Sequence, residues 1–144
     1  MRAARILLTA LAGLAVVALA GCAGDIPQAR LEAKYANAAS RFATLPDGVR
    51  VHYRDQGAPD GPPIVMVHGF SANLDAWEPW VRRLGGTHRI ITLDLPAHGL
   101  TVVPEGWRIS TPGYVEVVDQ LTRSLHVDRF ALAGNSMGGG VAWS

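Results

Sequence analysis

The chain reads as an α/β protein, a mainly parallel sheet with helices on both faces, and three observations predict it. Residues 64–67 are a continuous apolar run of the kind found in a strand covered on both sides, and residues 89–95 and 130–133 also follow an apolar strand pattern. Two longer stretches between them, 74–84 and 114–125, repeat their apolar residues at helical spacing. Strands that alternate with helices need crossover connections, and crossovers make neighbouring strands parallel.

The elements follow in order. Arg2 and Arg5 precede an apolar run over 6–20 that ends in Leu19-Ala20-Gly21-Cys22, the layout of a secretory signal. Its end resembles the bacterial lipobox. Cleavage before Cys22 would leave that cysteine as an acylated N-terminus, because a thiolate is the nucleophile that accepts a diacylglyceryl group. The alternative is an uncleaved anchor, since residues 6–24 carry no charge and nearly span a hydrocarbon core of ~30 Å. Both readings attach the chain to a membrane, and the lipoprotein reading places it outside the cytoplasm, facing the periplasm or cell exterior. Residues 26–39 are rich in good helix formers and read as a short helix or tether. Residues 41–45 and 49–54 form a hairpin about the turn Pro46-Asp47-Gly48. Next come the central strand 64–67 and a helix carrying Leu74, Trp77, Trp80, Val81 and Leu84 despite Pro79. The strand 89–95, a helix with Val117, Val118, Leu121 and Leu125, and the strand 130–133 complete the alternation. The organisation expected is a signal over 1–21, a tether over 22–44 and the N-terminal part of an α/β domain over 45–144.

Composition excludes several classes of function. Apolar residues make up 49% of the 144 and charged residues 17%, which suits a core-forming chain. The formal charge of +1, with both signs interspersed, offers no basic stripe for nucleic acid. Five scattered histidines and one cysteine provide no metal-ligand spacing and no internal disulfide. No metal and no cofactor are expected.

Chemistry concentrates at two places. Gly134-Asn135-Ser136-Met137-Gly138 follows the last strand directly and leads into a possible helix, the context a GxSxG turn requires. The glycines are needed because a Cβ there would meet neighbouring backbone, and Ser136 would present its hydroxyl to a cleft as nucleophile. Upstream, His68-Gly69-Phe70 follows the central strand. An acyl-transfer site needs two backbone N–H groups aimed at the developing oxyanion; Met137 would supply one and Phe70 the other. His68 is read as a structural loop histidine, because a base must sit beside the serine.

Three motifs in order resemble the first half of the α/β-hydrolase fold family: His68-Gly69-Phe70, Asp94-Leu95-Pro96-Ala97-His98-Gly99, and Gly134-Asn135-Ser136-Met137-Gly138-Gly139. The middle motif departs from the family at Ala97, usually glycine, and at Thr101, commonly serine. The resemblance implies that Asp94, His98 and Gly99 shape loops. It also implies that the catalytic acid and histidine follow the serine in chain order, and no His, Asp or Glu lies after Ser136 in residues 137–144. The chain as given is therefore expected to be an inactive fragment with an unprotected strand edge and poor solubility. The parent is expected to be an esterase- or lipase-like serine hydrolase with a small ester-like substrate. Two alternatives stay open: a carbon–carbon bond hydrolase resembling meta-cleavage-product hydrolases, and a non-catalytic lipid-anchored relative. Serine at 136 disfavours the aspartate-nucleophile members. Trp77, Trp80, Trp107 and Trp143 are candidates for pocket walls, with core packing as the plainer reading.

Overall fold

The structure is a computed structural model that describes residues 25–144. The signal sequence and Cys22 lie outside the described residues. Helix α1, Gln28–Tyr35, buries none of its residues and carries Lys34 in its last turn, where a positive charge suits the negative end of the helix dipole. Residues from Lys34 to Ser144 make one compact unit.

That unit holds a five-stranded sheet in the order β1-β2-β4-β3-β5. β1 (Arg41–Thr44) and β2 (Arg50–Gly57) pair antiparallel, with Phe42 opposite His52. The turn between them uses Gly48 at φ 84°, a conformation that glycine adopts without a Cβ clash. The sheet thus begins at Arg41, and the tether read over 22–44 is correspondingly shorter at its end. β2 also pairs antiparallel with β4 (Arg89–Leu93). The strands that carry the motifs run parallel: β3 (Pro63–Val67) lies between β4 and β5 (Ala131–Gly134). Val65, Met66 and Val67 are all buried, so both faces of β3 are covered. Among the described residues β5 pairs with β3 alone and forms the sheet edge.

The stretch read as one helix over 74–84 is divided. A 3-10 turn, Leu74–Trp77, is capped by Asn73, whose side-chain oxygen accepts the Asp75 N–H at 2.9 Å. Helix α2, Glu78–Leu84, then begins with Pro79 in its first turn, where a missing N–H leaves no hydrogen bond unmade. Arg54 of β2 is buried and reaches Asp75 at 2.8 Å and Glu78 at 2.7 Å, which ties this segment to the sheet. Helix α3, Thr111–Ser124, starts three residues earlier than its apolar stripe, because Ser110 caps it by accepting the Gly113 N–H at 3.2 Å. Helix α4, Met137–Trp143, begins directly after Ser136. Tyr114, Val117, Val118 and Leu121 of α3 and Val141 of α4 pack with Val65, Val67, Ile91 and Leu93 of the sheet in one core.

Candidate active site

The parallel strands β3, β4 and β5 all end at the same side of the sheet, and the three motifs are the segments that leave those ends. At the end of β5 the chain turns sharply into α4 through Ser136, which has φ 50° and ψ −113°. A left-handed serine costs on the order of 1–3 kcal/mol, so the surrounding packing must hold it there. Two glycines make that packing possible. A Cβ on Gly134 would overlap the Gly138 carbonyl, and one on Gly138 would overlap the carbonyl of Val67 at the end of β3. The Asn135 N–H donates to Val67 O at 3.1 Å and the Gly138 N–H to Asn135 O at 2.8 Å, closing the turn. The Ser136 hydroxyl is exposed and has no hydrogen bond among the described residues.

The loop after β3 packs against this turn. A Cβ on Gly69 would lie 3.3 Å from the Ser136 Cβ and 3.2 Å from Asn135 O, so a side chain would push the loop away. His68 is fully buried and bridges two strand ends. Its Nε2 accepts the Leu95 N–H at 3.0 Å, and Nδ1 lies 2.7 Å from Gly69 O. A backbone N–H can only donate, so Nε2 is unprotonated and the proton sits on Nδ1. Burial lowers the pKa of His68 below the ordinary histidine value, outweighing the Gly69 carbonyl and Asp94, which act the other way. His68 is thus a neutral bridge with both nitrogens occupied. It orients the backbone of Gly69 and Phe70. The backbone N–H groups of Phe70 and Met137 have no protein partner among the described residues.

Asp94, at the end of β4, is 1% exposed and organises the middle motif. Its carboxylate accepts the N–H of Leu74 and of Leu100, each at 2.8 Å, and takes a 2.7 Å hydrogen bond from His52 Nδ1. A Cβ on Gly99, at φ 51°, would strike that carboxylate. Ala97 holds φ 64°, a left-handed alanine where the resembling family has glycine. Thr101 keeps the role its hydroxyl needs, donating to Asp94 O at 2.7 Å and accepting the His52 N–H at 2.9 Å. His98 donates from Nδ1 to Pro96 O at 3.0 Å, and its ring lies 5.1 Å from that of His68 and 6.0 Å from that of Phe70.

Two clefts meet at Phe70. One, of about 200 Å³, is lined by His68, Gly69, Phe70, Trp77, Trp80 and Ser136 among others. The second, of about 520 Å³, includes Phe70, His98, Ile109, Tyr114 and Met137. Trp77 and Trp80 are therefore wall residues, whereas Trp107 packs on Tyr114 at 6.3 Å and Trp143 is exposed. Phe70 (75% exposed), Trp80 (53%) and Ile109 (64%) stand around the openings as an apolar rim. Sequence reading missed Ile109, because an isolated loop residue carries no periodicity. It also missed His52, which a strand pattern treats as any alternate position. Among the described residues no His, Cys, Asp and Glu cluster is arranged to hold a metal, and no helix is long and apolar enough to cross a membrane.

A family model for the alpha/beta hydrolase fold matches residues 62–144. The chain is 35% identical over 86 residues to an uncharacterized hydrolase of Saccharomyces cerevisiae, covering 60% of this chain and 30% of that protein. It is 32% identical over 101 residues to the 2-hydroxy-6-oxo-2,4-heptadienoate hydrolase of Pseudomonas putida, covering 68% of this chain and 36% of that one. The chain thus spans about a third of the length of these curated relatives. Among solved structures, Cfl2 from Burkholderia cenocepacia matches with a TM-score of 0.68 at 33% identity, over 72% of this chain and 35% of its own. A membrane phospholipase A, described as a bacterial virulence factor, matches with a TM-score of 0.69 at 28% identity, over 96% of this chain and 46% of its own.

Proposed function

Because the chain belongs to the alpha/beta hydrolase fold family, we propose that the full-length protein is a serine hydrolase that cleaves an ester-like bond through an acyl-enzyme on Ser136. The observation that carries this reading is the left-handed Ser136 at the β5–α4 junction, its hydroxyl exposed and without a protein partner among the described residues. Attack on a carbonyl puts negative charge on its oxygen, and the unpaired N–H groups of Phe70 and Met137 are the donors for it. They are backbone groups held by packing, so they need little reorganisation as that charge develops.

The base and the acid come from other parts of the full-length protein. No histidine among the described residues hydrogen-bonds Ser136: His68 has both nitrogens occupied, His52 is bonded to Asp94 and Ser40, and His98 is turned to Pro96 O. In this family the acid and histidine follow the serine in chain order, which agrees with the share of the relatives that these residues span. The experiment is fluorophosphonate labelling of the full-length protein with peptide mass spectrometry. An adduct on Ser136 supports the hydrolase; a folded protein with Ser136 unmodified points to the non-catalytic relative.

Carbon–carbon bond hydrolysis is the second reading, favoured by the match to the Pseudomonas putida enzyme. Turnover of a vinylogous 1,5-diketone in preference to p-nitrophenyl esters would select it. Membrane attachment through acylated Cys22 belongs to the same proposal, supported by the residues before that cysteine and by the likeness to a membrane phospholipase A. Release of a Cys22→Ser variant from the membrane fraction is its expected consequence, and a native N-terminal peptide with an unmodified cysteine would end it.

A further inference from the structure

Asp94, His52 and Ser40 form a second serine–histidine–carboxylate line that shares no residue with the two clefts beside Ser136. His52 stands in β2, its ring 2% exposed and stacked on Phe42 with 5.0 Å between centroids. Nδ1 is 2.7 Å from Asp94 Oδ2, and Nε2 is 2.8 Å from Ser40 Oγ. The direction of each bond follows from its partners. The Asp94 oxygens already receive the Leu74 and Leu100 N–H groups, so the carboxylate acts as acceptor and Nδ1 carries the ring proton. Nε2 is then a lone pair. Ser40 Oγ accepts the Asn37 N–H at 3.1 Å, which leaves its own proton to point at Nε2. Every hydrogen bond runs in the sense that general-base activation of a serine requires.

We infer that Ser40 is a second nucleophile, activated by His52 and Asp94, which takes small, strongly electrophilic acyl or phosphonyl groups. With a fluorophosphonate, Ser40 Oγ forms a bond to phosphorus as the P–F bond breaks. The hydroxyl proton passes to His52 Nε2 and then to solvent, fluoride leaves, and Asp94 holds the imidazolium meanwhile. Two features restrict the reaction to such reagents. Ser40 is half-buried, which admits only a small group. The N–H groups of Asn37, Ala39 and Ser40 are bonded to Ser40 Oγ, Asn37 Oδ1 and Asn37 O, so none of these three is free to stabilise an oxyanion. The adduct therefore accumulates and is not turned over.

The test uses the full-length Ser136→Ala protein, diisopropyl fluorophosphate and peptide mass spectrometry. Ser40 is expected to be modified about 10²-fold faster than the exposed Ser110 and Ser144, the size of effect a positioned base supplies. His52→Gln is expected to bring Ser40 down to the rate of those serines while circular dichroism stays unchanged. If that variant does not fold, the ratio of Ser40 to Ser110 labelling in the Ser136→Ala protein decides alone. A Ser40 peptide labelled no faster than Ser110, or full-rate labelling in folded His52→Gln, overturns the inference. Labelling of Ser136 in the unaltered protein reports separately on the hydrolase reading, so an adduct on Ser40 without one on Ser136 removes that reading and leaves this one standing.

Discussion

The turn at Ser136 and the turn that begins at Asp94 leave the same end of the sheet, from the strands β5 and β4 that flank β3, and each contains a non-glycine residue in the left-handed region, φ 50° at Ser136 and φ 64° at Ala97. They treat their polar side chains in opposite ways. Asp94 is buried, with both carboxylate oxygens engaged by N–H groups from three different segments. Ser136 is exposed, its hydroxyl without a partner among the described residues. A buried polar group left unpaired would cost about 1–3 kcal/mol, so the scaffold turn satisfies its own. The Ser136 turn instead leaves its hydroxyl open and relies on contacts between Gly134, Gly138 and the end of β3 to hold the strained backbone. The comparison separates a turn that satisfies its polar side chain internally from one that leaves it open.

Substitutions can break that contrast from either side. On the proposed function, the largest effect is expected for Ser136→Ala in the full-length protein: a fall in kcat on the order of 10⁶-fold with an unchanged or higher melting temperature. A loss of stability there, or retained turnover, would make the elbow a structural turn like its neighbour. Asp94→Ala should act in the reverse sense, costing about 3–5 kcal/mol in urea unfolding, because it strands His52 and two backbone N–H groups. A change below about 1 kcal/mol would mean that water satisfies those donors.

A third prediction concerns His68, which joins the Asp94 turn to the loop beside Ser136. His68 has its pKa lowered by burial, so the unfolded chain binds a proton more readily than the folded one. Its contribution is complete above the ordinary histidine pKa of ~6.5 and is lost as pH falls from there toward the lowered folded value. One proton gives a slope of at most about 1.4 kcal/mol per pH unit. Urea titrations between pH 7.5 and 5 should show it in the unaltered chain and show less of it in His68→Gln, which can still donate to Gly69 O and accept from Leu95. An equal slope in both would assign the acid sensitivity to other groups. The smallest effect is expected at Ala97→Gly, which removes a left-handed alanine and should stabilise by up to about 1 kcal/mol. Destabilisation would mean that the exposed methyl makes contacts worth more than the backbone strain.

Much of this was legible beforehand where the information is local. The GxSxG pattern after an apolar run predicted a glycine-supported serine turn because both glycines act on backbone only a few residues away, or on the strand end beside them. The division of residues 74–84 was less legible. An apolar stripe reports which side faces the core, whereas Asn73 and Pro79 report where the helix starts, and the stripe alone runs through both. Ser110 extended α3 forward for the same reason. The roles of Asp94 and His98 in loop architecture followed from a family resemblance, whereas the partner that Asp94 takes in His52 followed from nothing in the chain order.

What the sequence by itself determined is the succession of strands and helices, the serine turn and the loop of Gly69 and Phe70, since periods of two and 3.6 and the conformational needs of glycine act over a few residues. Only the tertiary structure decided the strand order β1-β2-β4-β3-β5, the tautomer of His68 and the line from Asp94 through His52 to Ser40. Those depend on groups 27, 42 and 12 residues apart meeting at hydrogen-bonding distance. Such meetings are set by how strands pair and which face is buried, and a linear pattern of residue types does not carry that geometry.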